Sequence, residues 1–287
     1  KIEIICVDDG STDNSLSILK EYEKQDSRVK VLTQKNSGAG AARNKGLSIS
    51  TGKYLSFLDS DDFFEQDMLE LSYLTALKTD ADIVIFGSDR YDDTTKRYEP
   101  LPWAVRKWLL PKKQVFSGTE IEQDIFYSIS GWPWDKLFKK SFVSNEGVKY
   151  QEQRTTNDLS FVYSLYAKAK NITILDKVLV HQRFNVPSSL SRTREKSWEC
   201  FYSALISLRK QLIEWDLYHR FEQDFINYAL NIALWNLNTL TGDSHTLLYN
   251  MLKTEGFSNL GIFSKEKSYF YRQDEYEQYK NIIESKL

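Results

Sequence analysis

The stretch KIEIICVDDGSTDNSLSILKEYEKQ, residues 1–25, reads as one strand followed by one helix. Residues 2–8 are apolar and rich in β-formers, which favours extended backbone. Ser11, Thr12 and Asp13 can each accept a hydrogen bond from the free N–H groups that open a helix. Leu16, Leu19, Tyr22 and Glu23 then recur at helical spacing. The stretch begins inside its strand, without a polar lead-in, so a preceding segment is expected.

Moving outward, the unit repeats. VKVLT (29–33) is a second strand and AGAARNKGLSIS (39–50) a second helix. KYLSFLD (53–59), EQDMLELSYLTALKT (65–79) and ADIVIFGS (81–88) continue as strand, helix and strand. This alternation predicts an α/β fold with a mostly parallel sheet flanked by helices. Ligands of such sheets lie beyond the carboxyl ends of the strands, where Asp8, Asp9 and the 59–62 acidic cluster fall. Residues 90–111 show no clear pattern. Thr119 and Glu122 have the spacing of a capping box at a helix start, another helix is expected from Thr156 or Asn157, and ITILDKVLVHQRF (172–184) is a strand. Past Pro187 the pattern turns to long amphipathic helices near 195–215 and 219–240, so residues 1–186 and 187–287 are expected as an α/β domain and a smaller α-helical region.

Of 287 residues, 38 are basic and 40 acidic, and a net charge of −2 leaves no global field toward nucleic acid or an anionic membrane. Cys6 and Cys200 are too few for a disulfide framework, with Cys6 expected as a buried small hydrophobe. No apolar run approaches the roughly 20 residues that span a bilayer. Together these lead to the expectation of a soluble cytoplasmic protein without a transmembrane segment.

In YLSFLDSDDFFE (54–65) three carboxylates, Asp59, Asp61 and Asp62, sit between apolar residues. Extended backbone would turn Asp59 and Asp61 to one side, where hard oxygen ligands suit Mn²⁺ or Mg²⁺. The same acids can instead cap the helix that follows. GAGAAR imitates a dinucleotide fingerprint but has Arg43 at the third glycine position, and VDDGST lacks the Asp-x-Asp spacing of phosphoryl-transfer loops.

The ordered series IICVDDGSTDNS, KNSGAGAARNKGLSISTGKYLSFLDSDD, WPWDKLF and NDLSF resembles the family 2 glycosyltransferases of GT-A fold, over about residues 1–185. The resemblance implies a nucleotide-sugar donor, usually a UDP-sugar, a divalent cation, and transfer to an acceptor hydroxyl with inversion, in surface glycan or glycoprotein synthesis. It makes Asp9 the contact to the nucleobase with Asp8 beside it, Gly38 the close backbone turn, and Arg43 the basic residue near the nucleotide. Asp59 would meet ribose or sugar hydroxyls, Asp61 the metal, and Asp62 would be a second ligand. Asp158 takes the place of the general base, with Asn157 where the family usually has an acid. His181 is a candidate third metal ligand, and Trp132 and Trp134 are candidate stacking surfaces for the acceptor, a glycan or glycoprotein. The family also opens with a strand and loop that Lys1 does not follow.

Other assignments rest on the residues themselves. Arg192 and Arg194 are candidate diphosphate clamps or surface residues, and Lys136 is expected to be solvated or ion-paired. Trp198, Phe201, Trp215, Tyr218, Phe221, Phe225, Tyr228 and Trp235 form an aromatic stripe that serves either as helix core or as a homo-oligomer interface. A non-catalytic GT-A-like subunit that binds partners through its helices is the alternative function.

Overall fold

A computed structural model of the chain describes residues 1–184, 190–263 and 265–285, the side chains of 190–192 excepted. The strands are β1 (Ile4–Asp8), β2 (Val29–Thr33), β3 (Tyr54–Leu55), β4 (Phe63–Phe64), β5 (Ile83–Asp92), β6 (Arg97–Pro100), β7 (Lys136–Lys139) and β8 (Ile172–Phe184). The first six helices are α1 (Ser15–Gln25), α2 (Ala39–Ile49), α3 (Met68–Thr79), α4 (Ile125–Ser128), α5 (Lys140–Glu146) and α6 (Leu159–Lys168). The C-terminal region holds α7 (Cys200–Glu214), α8 (Tyr218–Thr239), α9 (Gly242–Met251), α10 (Phe257–Asn259) and α11 (Gln273–Glu284).

The α/β class and its C-terminal helices are as expected, but the sheet is mixed. β1 and β2 pair in parallel as a two-stranded sheet, and a six-stranded sheet runs β3-β7-β5-β8-β4 with β6 on β5. Among the described residues only β5 and β8 are parallel within it. Ile83, Val84, Ile85 and Phe86 are at most 1% exposed, as a strand covered on both faces requires. Alternation sends Ile83 and Ile85 into one core with Phe161 and Leu165 of α6, and Val84 and Phe86 into another with Met68 and Ala76 of α3.

The aromatic stripe is largely core. Phe201, Phe221, Phe225 and Tyr228 join the cluster that holds Ile83 and Phe161, whereas Trp235 stays half exposed. Sheet, α6 and C-terminal helices therefore share one continuous apolar core, and the expected boundary at Pro187 lies outside the described residues. Cys6 is half-buried and Cys200 buried, both as free thiols. Among the described residues no helix is long and apolar enough to cross a membrane.

Local expectations shift in three places. The third strand shortens to two residues. The capping box is Ser117 with Glu120, not Thr119 with Glu122, and it opens a single 3₁₀ turn. The helix resumes at α4 only after Asp124 turns left-handed at φ 58°, its N–H taken by Asp224 of α8 at 2.7 Å. The unassigned stretch becomes the β5–β6 hairpin and a short 3₁₀ turn at Lys107–Leu109.

Candidate active site

The end of β1 meets the start of α2. Gly10 has φ +75°, and a Cβ there would lie 2.8 Å from the Asn36 amide nitrogen, so the turn needs glycine. Asp9, expected at the nucleobase, spends both oxygens on the neighbouring loop: Oδ1 accepts from Gln34 Nε2 and the Ser37 amide at 2.8 Å each, and Oδ2 from the Gly38 amide at 2.7 Å. The two backbone amides lead into α2 and have no other partner among the described residues, so the carboxylate braces the loop. Buried Asp8 accepts only a long bond from the Ser11 amide on Oδ2, and its Oδ1 has no partner among the described residues. A buried acceptor left open costs free energy until a donor arrives, which makes Asp8 the member of the pair free to bind. Gly38 (φ +90°, ψ 163°) occupies backbone reserved for glycine and caps α2.

One guanidinium joins the two halves of the site. Arg43, on α2, donates Nη2 to Asp59 Oδ1 at 2.5 Å and Nη1 to Asn157 Oδ1 at 2.7 Å, and lies over the Tyr150 ring at 5.4 Å. The acidic loop, the segment before Asp158 and α2 thus meet at one residue.

The acidic loop is a turn, closed by the Asp62 amide to the Asp59 carbonyl at 3.3 Å, so the expected extended alternation of Asp59 and Asp61 does not hold. Nor do these acids cap the next helix: β4 intervenes, α3 starts at Met68, and its N-cap position is Asp67. Asp61 is exposed. Burial, then the charges of Asp61 and Asp59, push the Asp62 carboxyl up to about 7, although its Oδ1 accepts from the Arg183 amide at 2.8 Å. A cation beside such a carboxyl would favour its ionised form. Among the described residues no three His, Cys, Asp or Glu side chains form a metal cage. The Asp61 carboxylate and the second oxygen of Asp62 would fit an ion that completes its shell with water and phosphate oxygens.

His181, expected as a third metal ligand, pairs across the sheet with Phe63, next to Asp62. Nδ1 bonds Asp89 Oδ1 at 2.7 Å, Nε2 bonds Glu65 Oε1 at 3.2 Å, and the ring stacks on Phe63 at 4.9 Å. Both nitrogens are thereby occupied.

Asp158 sits at the N-cap position of α6. Burial raises its carboxyl above the usual range, assisted by Asp59 and opposed by Arg43 and Lys136. The preceding loop is strained and tightly tied. Thr156 has φ +54°, rare for a β-branched residue. Gln153 donates to the Thr156 carbonyl at 3.1 Å and to the Cys200 carbonyl at 3.0 Å, Thr155 Oγ1 meets Ser197 Oγ at 2.9 Å, and Arg154 reaches Thr193 Oγ1 at 2.9 Å. The C-terminal region therefore braces the loop that carries Asp158. From the other side Gly40 of α2 approaches so closely that a Cβ would lie 2.0 Å from the Gln151 carbonyl oxygen.

Lys136 is ion-paired, as one expectation held, but wholly buried. Nζ donates to Asp135 Oδ1 at 2.5 Å and to the carbonyls of Ser130 and Trp132 at 2.9 and 2.7 Å. Burial lowers the lysine and raises Asp135. Trp134, expected at the acceptor, is only 2% exposed and stacks behind half-buried Trp132 at 4.6 Å. Arg194 lies over Trp235 at 4.3 Å, and the side chain of Arg192 lies outside the described residues. Gly40 and Asp135 were missed in the sequence; the G-x-G of GAGAAR carried a signal for the first, and nothing in WPWDKLF separated Asp135 from its neighbours.

Residues 1–137 match the model of glycosyl transferase family 2. The chain is 32% identical over 206 residues to the putative glycosyltransferase EpsH of Bacillus subtilis, covering 69% of this chain and 57% of that protein. It is also 32% identical over 209 residues to glycosyltransferase GlyG of Streptococcus pneumoniae, covering 69% and 66%. It thus spans roughly three fifths of the length of these relatives. In three dimensions it is similar to S. aureus TarS 1–349, crystallised in complex with UDP: TM-score 0.59 and 17% identity, over 96% of this chain and 82% of that one. That likeness establishes a shared GT-A-like fold. Through residues 1–137 the chain belongs to the family 2 glycosyltransferases.

Proposed function

We propose that the protein transfers a sugar from a nucleotide-sugar donor, of UDP type, to an acceptor hydroxyl with inversion at the anomeric carbon. The observation that carries this reading is Arg43, whose guanidinium binds Asp59 of the acidic loop and Asn157, the residue before Asp158. Donor-side carboxylates and a candidate base are thereby held on one rim. That TarS was crystallised with UDP supports the choice of nucleotide.

Each residue then has a task. Asp8 Oδ1, buried and open, accepts an N–H from the base, while Asp9 keeps loop 34–38 in shape for it. Asp59 offers its remaining oxygen to sugar or ribose hydroxyls. Mn²⁺ or Mg²⁺, held by Asp61 and Asp62, would supply Lewis-acid stabilisation of the departing diphosphate. Asp158 takes the proton from the attacking acceptor hydroxyl, and Arg43 and Lys136 favour its ionised form against the cost of burial. The bond from the acceptor oxygen forms as that to the diphosphate breaks on the opposite face, through an oxocarbenium-like state.

The test is thermal stability and UDP release with UDP-sugars, with and without Mn²⁺. Binding to the folded state alone raises the midpoint by mass action. A midpoint that rises with UDP and Mn²⁺, with UDP released from at least one UDP-sugar, is the expected result. No shift with any nucleotide and no release would remove the proposal.

A further inference from the structure

Trp103 lies in the stretch whose sequence showed no pattern. It meets Trp132 edge-on at 5.2 Å, and Trp132 is backed by buried Trp134. On the other side the Arg90 guanidinium lies 5.5 Å from the Trp103 ring centroid and 5.7 Å from that of Phe184, at the end of β8. Arg90 Nε donates to Gln182 Oε1 at 3.3 Å, and among the described residues Arg90 forms no ion pair. A guanidinium packed between two rings, with one edge already fixed, has lost most of its rotamer freedom and leaves its other N–H groups as a fork for two oxygens of an oxyanion.

This ledge is bound to the element that carries Asp158. Lys136 Nζ holds the Trp132 carbonyl at 2.7 Å and is near enough to Asp158 to influence its ionisation. Tyr163, on the helix that Asp158 opens, donates its hydroxyl to the Ile129 carbonyl at 3.1 Å. Its ring also packs on Gly131, where a Cβ would lie 2.9 Å from Tyr163 Cε2. Hydrogen bonds and packing therefore tie the ledge to the base helix.

We propose that Trp103, Trp132 and Arg90 form the acceptor subsite and that it takes a glycan bearing an oxyanion, phosphate or carboxylate, next to the sugar that stacks on the tryptophans. Aromatic faces with one unpaired guanidinium match that chemistry, because rings cover the apolar face of a sugar while the fork reads the charge. The acceptor role rests on the glycosyltransferase reading; the binding chemistry does not.

The experiment is ¹⁹F NMR of the whole chain labelled with 5-fluorotryptophan, the Trp103 and Trp132 lines being assigned from Trp103→Phe and Trp132→Phe. The probes are glucose 6-phosphate, glucuronate and uncharged methyl glucoside. Both lines should shift with a charged probe at about tenfold lower concentration than with methyl glucoside, as one charge-assisted pair provides. A response to glucose 6-phosphate alone identifies a phosphate-bearing acceptor, and one to glucuronate alone a uronic acid. Arg90→Gln should erase the tenfold difference while the Trp198, Trp215 and Trp235 lines stay in place, which reports an intact fold. Equal response to charged and uncharged probes, no response, or an unchanged preference in Arg90→Gln would overturn the proposal. UDP with Mn²⁺, titrated into the same sample, separates the two readings: a silent ledge with UDP bound sinks the subsite alone, whereas a responsive ledge without UDP binding sinks the acceptor role and the proposed function together.

Discussion

At the scale of single residues, the proposed chemistry turns on Asp158 and the charges around it. Asp158→Asn keeps the shape but cannot take a proton, so transfer should fall by about 10²–10⁴-fold, while the stabilisation by UDP and Mn²⁺ persists. Transfer at wild-type rate in that variant would exclude the assignment. Because burial raises the Asp158 carboxyl, the active ionised form is lost as pH falls through a value above the ordinary carboxylate range. The acid limb of the rate profile should therefore lie above about 4. Asn157→Asp adds a charge beside it at nearly equal size and should move that limb upward by up to about one unit, tempered by Arg43. A limb that stays in place would show that another group sets it. The sequence identified which aspartates to examine, but not their division of labour. Adjacent Asp8 and Asp9 are alike as letters, and only the fold shows one with an open oxygen and the other saturated by loop amides.

At the scale of elements, periodicity was a good guide where one face is buried and a poor one where distant chain intervenes. β8 was read over its full length, and α2, α3, α7 and α8 nearly so. The helix expected from Thr119 fails because Asp224, a hundred residues away, takes the Asp124 amide and breaks it, information no local window holds. The loop before Asp158 is the other such case, shaped by α2 on one side and the C-terminal region on the other. Gly40→Ala would push a methyl group into the Gln151 carbonyl and should cost about 1–3 kcal/mol of stability, with transfer impaired beyond what that loss explains. Gln153→Ala removes the bonds to the Thr156 and Cys200 carbonyls. Its expected signature is a lower turnover number with little change in urea midpoint, because the loop relaxes from its strained backbone while the core is untouched. A normal turnover number would show that the brace is dispensable.

For the whole molecule, the shared core means that the helical region is no detachable appendage. Asp224 on α8 accepts from the Asp124 amide and from the Tyr271 hydroxyl, at 2.7 Å each, and is 3% exposed. Asp224→Ala would strand both donors, at about 1–3 kcal/mol for each group left unsatisfied, measured as a lower free energy of unfolding in urea. A chain ended before α7 would bare the aromatic residues that pack on α6 and should be recovered as aggregate. The interior position of Lys136 has a practical consequence for chemical footprinting. Its amine has no accessible surface and is engaged in three hydrogen bonds, so an acylating reagent will modify surface lysines first. The moment at which that one amine becomes acylated therefore clocks the separation of the tryptophan turn from the sheet beneath it.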